Sequence, residues 1–274
     1  MTRPSSNPGR PLLVLSGAVL IVWLILPLVP LLIWSFARGW RFPDLLPQEW
    51  SLQAWEFALS ARSGVLESLG VTVLIAATAT VLAIAVGVPA GRALGLYRFR
   101  GKGLVELIIL APIIVPGIAV ALGLHGVFIH LGLTNTVAGV VLVHLIPTLP
   151  YMTLVMAGIF ANFDPAFEQQ ARSLGASRLQ TFRHVTLPAI MPGIIVGGLF
   201  AFLVSWSQYV LTLLIGGGRV ITLPLLLFNY AASGRNDLTG AIGIIYILPG
   251  IVILVFTARH LTGSNAAIGG FGRI

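Results

Sequence analysis

The sequence contains no cysteine. Disulfides, thiolate metal sites and thiol nucleophiles are therefore excluded together. Charge is almost as scarce, at 9% of 274 residues, where soluble domains carry about 25%. Hydrophobic residues make up 57% and the mean hydropathy is +0.98. A soluble core of this size cannot hide so much apolar surface, so lipid is the expected solvent. No nucleotide loop is present. Gly95 to Gly101-Lys102 mimics one, but five residues separate the glycines where four are needed, and no Ser or Thr follows the lysine. The five histidines (His125, His130, His144, His184, His260) show no metal-ligand spacing. No nucleophile–base pair can be assembled either, which leaves an intramembrane enzyme without support.

What the sequence has in abundance is long apolar runs. A membrane-crossing helix needs about 20 such residues. Six candidates occur, at about 12–37, 66–97, 104–129, 136–162, 188–216 and 240–258. They predict an all-α polytopic membrane protein with a transmembrane domain over 12–262 and tails at 1–11 and 263–274. The run Pro11–Ala37 exceeds a signal-peptide core of roughly 7–15 residues, so it reads as a retained first span. Prolines recur inside the spans (Pro27, Pro30, Pro89, Pro112, Pro116, Pro147, Pro150, Pro192, Pro249), where kinking is their ordinary effect. The segment Leu52–Leu59 reads as a short surface helix beside Trp34, Trp40, Trp50 and Trp55, which suit an outer interface.

Lys and Arg in the loops set the orientation. With the N-terminus in the cytoplasm, eleven positives fall inside (Arg3, Arg10, Arg92, Arg98, Arg100, Lys102, Arg172, Arg178, Arg183, Arg259, Arg273). Five fall outside (Arg38, Arg41, Arg62, Arg219, Arg235). Three acids lie inside and five outside, so the whole net charge of +8 sits on the inner side. Attraction to anionic membrane lipid accounts for it, and nucleic acid is not needed as a partner. Glu106, close to the positives Arg92–Lys102, is expected to form a boundary ion pair.

One cytoplasmic loop, 163–187, carries dense local signals. Asp164 suits a helix cap, Pro165 the first helical position and Gly175 a left-handed stop. A short helix is expected over about 165–174, with Phe167, Ala171 and Leu174 on one apolar face. That face either packs on the chain's own spans or docks into a partner. Ser177 is placed to cap a second helix through about His184, and Pro188 opens the next span.

The same loop resembles the "EAA" loop of binding-protein-dependent ABC importer permeases. That pattern reads Glu-Ala-Ala, three residues, Gly, nine residues, an aliphatic residue, one residue, Leu-Pro. Gly175, Val185, Leu187 and Pro188 fall at its spacings, and Gln169, Gln170 and Ala171 occupy the triplet. Arg172 and Leu174-Gly175-Ala176 extend the likeness. The triplet's acid is replaced by Gln169, with Glu168 one residue earlier. A charged contact to an ATPase then passes to Glu168, or the contact is neutral. Ala111-Pro112-Ile-Ile-Val-Pro116-Gly117 and Thr222-Leu-Pro-Leu resemble the subgroup serving polyamines, ferric iron, thiamine, sulfate or aminophosphonates.

The resemblance implies a type I importer permease in the bacterial inner membrane with both termini cytoplasmic. It implies coupling through Glu168, Gln169, Gln170, Ala171, Leu174, Gly175, Leu187 and Pro188 to a cytoplasmic ABC ATPase dimer, which binds ATP and Mg²⁺. The permease itself needs no cofactor. It implies a second permease subunit, identical or homologous, and an extracytoplasmic solute-binding protein. The solute is expected to be spermidine/putrescine-like or a related small molecule. Ser205, Ser207, Gln208 and His144 are the candidate path residues, although each also suits ordinary helix–helix bonding. Polyamine permeases of this type often carry acids at the positions of Ser207 and Gln208. A secondary transporter driven by an ion gradient is the alternative; it predicts an inverted repeat or intramembrane coupling acids, and neither is visible.

Overall fold

The structure is a computed structural model that describes residues 10–40, 44 and 46–268. Arg3, Arg41, Arg273 and most of the two predicted tails lie outside those residues. The chain divides into two compact units.

The first unit holds residues 1–66 and 227–247. Helices α1 (Arg10–Ile25) and α2 (Leu28–Ser35) lie in the first predicted span, which is bent by 43° at Pro27 rather than straight. A two-residue hairpin follows, β1 (Ala37–Arg38) pairing antiparallel with β2 (Glu49–Trp50). Helix α3 (Gln53–Leu59) matches the expected surface helix. Gly240, early in α13 (Asn236–Ile268), is placed where a Cβ would lie 2.6 Å from the Leu31 carbonyl oxygen, so only glycine lets α13 approach α2 there.

The second unit holds residues 67–226 and 248–274. Its helices are most of α4 (Val65–Leu96), α5 (Lys102–Ile114), α6 (Gly117–His130), α7 (Val137–Ala161), α8 (Ala166–Ser173), α9 (Arg178–Thr181), α10 (Leu187–Trp206) and α11 (Val210–Gly216). The short helix α12 (Leu223–Ala232) begins in this unit, where the Leu223 amide donates to Thr72 Oγ1 at 2.8 Å.

The centre of this unit is α7. Gly87, Gly91 and Gly95 form a stripe on α4 at four-residue spacing. A Cβ at Gly87 would sit 2.7 Å from Met152 Cγ, one at Gly91 2.8 Å from the Ala157 amide, and one at Gly95 2.6 Å from Phe160 Cβ. On α10, Gly193 and Gly197 meet Ile159 and Met152 in the same way. In lipid the hydrophobic effect does not drive helices together, so small residues that permit close backbone approach take its place. Met152, Met156 and Phe160 are fully buried between the stripes, while Leu74, Val81, Leu107, Ile118 and Leu122 are exposed. Apolar outward and packed inward is the pattern of a protein dissolved in lipid.

Six uninterrupted spans are not found. Among the described residues, three helices are long and apolar enough to cross alone: Val65–Leu96, Val137–Ala161 and Arg178–Trp206. Counting each bent pair as one span raises this to five. The predicted span at 104–129 is turned by 105° between α5 and α6. Pro116 is the cause: it disfavours helical geometry at the residue before it, and Val115 is extended (φ −79°, ψ 130°). The predicted span at 188–216 is interrupted at Ser207–Tyr209 and begins earlier, since α9 and a π turn (Phe182–Thr186) run into α10. The sixth, 240–258, falls within α13, which continues as helix to Ile268.

Candidate functional site

The loop at 163–187 folds as its residues dictate. Asp164 Oδ1 accepts from the Ala166 amide at 2.9 Å, and α8 spans Ala166–Ser173. Gly175 adopts φ +89°. Its amide donates to the Arg172 carbonyl at 3.0 Å, and that of Ala176 to the Ala171 carbonyl at 3.1 Å. This pair of bonds closes the helix end, and the left-handed backbone of Gly175 is what brings the Ala176 amide round to it. Ser177 and Gln180 form a reciprocal capping box on α9. That second helix does not end at His184. It widens into a π turn in which the Leu187 amide reaches back to the Phe182 carbonyl. Pro188 accounts for the widening, because it has no amide for the His184 carbonyl and its ring would crowd that oxygen.

Glu168 faces inward. It is 6% exposed and receives Arg92 Nη1 at 2.9 Å and Nη2 at 2.6 Å, while the Thr186 hydroxyl donates to it at 2.5 Å. Arg172, one turn on, stands at 4.0 Å. Arg92 lies near the C-terminal end of α4, with its guanidinium 5.6 Å from the centre of the buried Phe160 ring. The hydrogen bonds from Arg92 hold the Glu168 carboxyl below the usual carboxylate range; burial opposes this, and Thr186 adds to the lowering. Both carboxylate oxygens are occupied within the chain. Of the two alternatives, a charged contact through Glu168 or a neutral one, these bonds favour the neutral one: within the chain the acid ties α8 to α4 and to the start of α10.

Among the described residues, no span covers the apolar face of α8. Phe167 is 58% and Leu174 89% exposed, and Leu179 on α9 is also open. Ala166, Gln169, Gln170, Ser173 and Leu174 line a shallow outward depression. Ala171 is half-buried, as is Leu187, and Pro188 is exposed. The boundary ion pair at Glu106 is present with Lys102, at 3.9 Å.

The candidate path residues divide. A cleft of about 460 Å³ opens where two helix interruptions meet. Pro112–Gly117 line it from the α5–α6 turn, Ser207 and Gln208 from the α10–α11 break, and Pro147 and Tyr151 from α7. Among the described residues, no charged side chain lines it. His144 and Ser205 are not in the lining. His144 is 1% exposed, with Nδ1 2.8 Å from Ser205 Oγ and Nε2 2.9 Å from Thr212 Oγ1.

Arg92, Thr186, Thr212 and the stripe Gly87/Gly91/Gly95 do not stand out from sequence alone. The glycine spacing was the available signal. The Arg92–Glu168 pair joins residues 76 positions apart, and neither local spacing nor composition reveals it.

The chain is similar to known transport proteins over most of its length. It is 29% identical to the putrescine transport system permease protein PotI of Escherichia coli K12 over 267 residues, 93% of this chain and 91% of that one. It is 27% identical to the spermidine/putrescine transport system permease protein PotC of Haemophilus influenzae over 241 residues, 87% of this chain and 92% of that one. In fold it resembles a chain in the crystal structure of a bacterial ABC transporter involved in alginate import, with a TM-score of 0.70 at 19% identity, covering 94% of this chain and 99% of that one. The family of binding-protein-dependent transport system inner membrane components matches residues 87–264. The chain belongs to that family: it is a membrane permease subunit of an ABC importer, not an enzyme and not the gradient-driven transporter weighed as the alternative.

Proposed function

We propose that this permease forms half of a solute path, opposite a second permease subunit of identical or homologous sequence. A solute-binding protein delivers the solute from outside. Two cytoplasmic ATPases bind ATP and Mg²⁺, and α8 docks on one of them. Both termini lie in the cytoplasm, as the excess of Lys and Arg on that side favours. The observation that carries this reading is α8 itself: capped at both ends, tied inward through Glu168, and bearing an apolar ridge with no cover. An isolated helix of eight residues is marginal in water. Here the Arg92–Glu168–Thr186 tie makes it a lever joined to α4 and α10. Closure of the ATPases then moves those helices as a body. With Glu168 occupied, the contact to the ATPase is a neutral one through Gln169, Gln170 and the ridge.

The solute is of the polyamine type, by likeness to the putrescine and spermidine permeases. Within the cleft a polyamine meets Tyr151, Ser207 and Gln208. Any carboxylate partner comes from the opposite subunit or the binding protein. The uncharged lining favours a second substrate reading, a neutral small solute. The test is uptake of radiolabelled putrescine into vesicles carrying the complete transporter, with and without internal ATP. ATP-dependent uptake supports the proposal. ATP-independent uptake contradicts the importer, and ATP-dependent uptake of a neutral sugar but not putrescine contradicts only the substrate.

A further inference from the structure

The two helix breaks that border the cleft differ in origin. The α5–α6 turn has Pro116, which forces it. The α10–α11 break has Ser207, Gln208 and Tyr209, with neither proline nor glycine among them. Nothing in that backbone forbids a continuous helix, so contacts from elsewhere must hold it open.

A buried hydrogen-bond chain bridges the break. Thr212 Oγ1 lies 3.1 Å from the Gln208 carbonyl and donates its only proton there. It therefore accepts from His144, whose Nε2 carries a hydrogen. In the neutral ring Nδ1 is then bare and accepts from the Ser205 hydroxyl. The chain runs Ser205 O–H to His144, His144 N–H to Thr212, and Thr212 O–H to the Gln208 carbonyl. Ser205 lies in the last turn of α10 and Thr212 in the first turn of α11, so one imidazole on α7 contacts both sides of the break. Ser205, His144 and Thr212 are all at least 98% buried, so water cannot replace a lost link and a removed partner leaves an orphaned polar group.

We infer that His144 is a positioning residue of the solute path. It fixes the α10–α11 break and thereby keeps Ser207 and Gln208 on the cleft wall, without touching the solute. This rests on reading the cleft as the path.

The absence of cysteine gives a clean test. Ser207→Cys in the complete transporter, in native membranes opened to both faces, is treated with a membrane-impermeant maleimide. Ser233→Cys, at an exposed turn residue outside both the cleft and the α8 ridge, serves as a separate control. The Ser207 thiol should be modified in the otherwise unchanged chain. His144→Asn keeps an acceptor for Ser205 but loses the donor to Thr212. It should change the Ser207 rate by about fivefold, as loss of one buried hydrogen bond implies. Thr212→Val should do the same. His144→Gln keeps a donor near the Nε2 position but loses the acceptor for Ser205, so it too should change the rate by about fivefold. The Ser233 rate should not move in any background. An unchanged Ser207 rate in His144→Asn overturns the inference and leaves the path reading intact. Parallel changes at Ser207 and Ser233 also overturn it, since they signal general loosening. An unreactive Ser207→Cys in the unchanged chain overturns the path reading, and the inference falls with it.

Discussion

Replacing Glu168 by Gln should loosen α8 without unfolding the permease. The substitution keeps the side chain's shape and removes its charge, leaving Arg92 facing a neutral amide. Breaking a fully buried ion pair costs about 3–5 kcal/mol. The Arg92 side chain is 29% exposed, and water compensates it in part, so about 2 kcal/mol is the expected cost. That is roughly thirtyfold in the ratio of docked to undocked helix. Hydrogen exchange at the amides of α8 reads this ratio, and they should exchange about thirtyfold faster. Coupled uptake should fall while the amount of permease in the membrane holds. The charge swap Arg92→Glu with Glu168→Arg should recover part of the loss, because the pair lies within one chain. Wild-type exchange and uptake in Glu168→Gln would refute the tie. A swap more damaging than either single change would instead place Glu168 at the ATPase.

Three further outcomes follow from the same geometry. The Glu168 carboxyl is held below its ordinary range, so its stabilisation of α8 is complete above that range and is lost only as pH falls through the lowered value. Exchange at α8 should therefore be flat between about pH 6 and pH 8, after correction for intrinsic rates, and should rise only in acid. Gly91→Ala adds a Cβ against the α7 backbone; overpacking of about 1–3 kcal/mol outweighs a helix-propensity gain of about 1 kcal/mol, and thermal denaturation in detergent should show a lower Tm. Gly175→Ala meets nothing within 4 Å, so its cost of about 1 kcal/mol is purely that of the left-handed backbone; faster exchange confined to the end of α8 would check it.

Local chemistry was legible in the sequence, and long-range pairing was not. Asp164, Gly175 and the Ser177–Gln180 box act within a few residues, and the helix they bound ends where they indicate. Pro116 was visible as a helix disturber, but whether a proline kinks a span or turns it by 105° depends on the packing around it. The break at Ser207–Tyr209 has no residue that announces it, because its cause is His144 on another helix. The apolar face of α8 was read with two destinations open. The bonds of Glu168 to Arg92 and Thr186 turn the opposite face outward, which favours the partner. Periodicity alone could count apolar runs, yet it could not tell one straight span from two helices meeting at an angle.

We propose the exposed ridge of α8 as the dock for the ATPase. The most direct measurement is copurification of the cognate cytoplasmic ATPase with the wild-type permease and with Leu174→Asp, at matched membrane expression. A side chain such as Leu contributes about 1.5–3 kcal/mol when buried, so the variant should retain less than about a tenth of the ATPase. Undiminished copurification with Leu174→Asp, in a preparation where the wild type binds, would contradict the account.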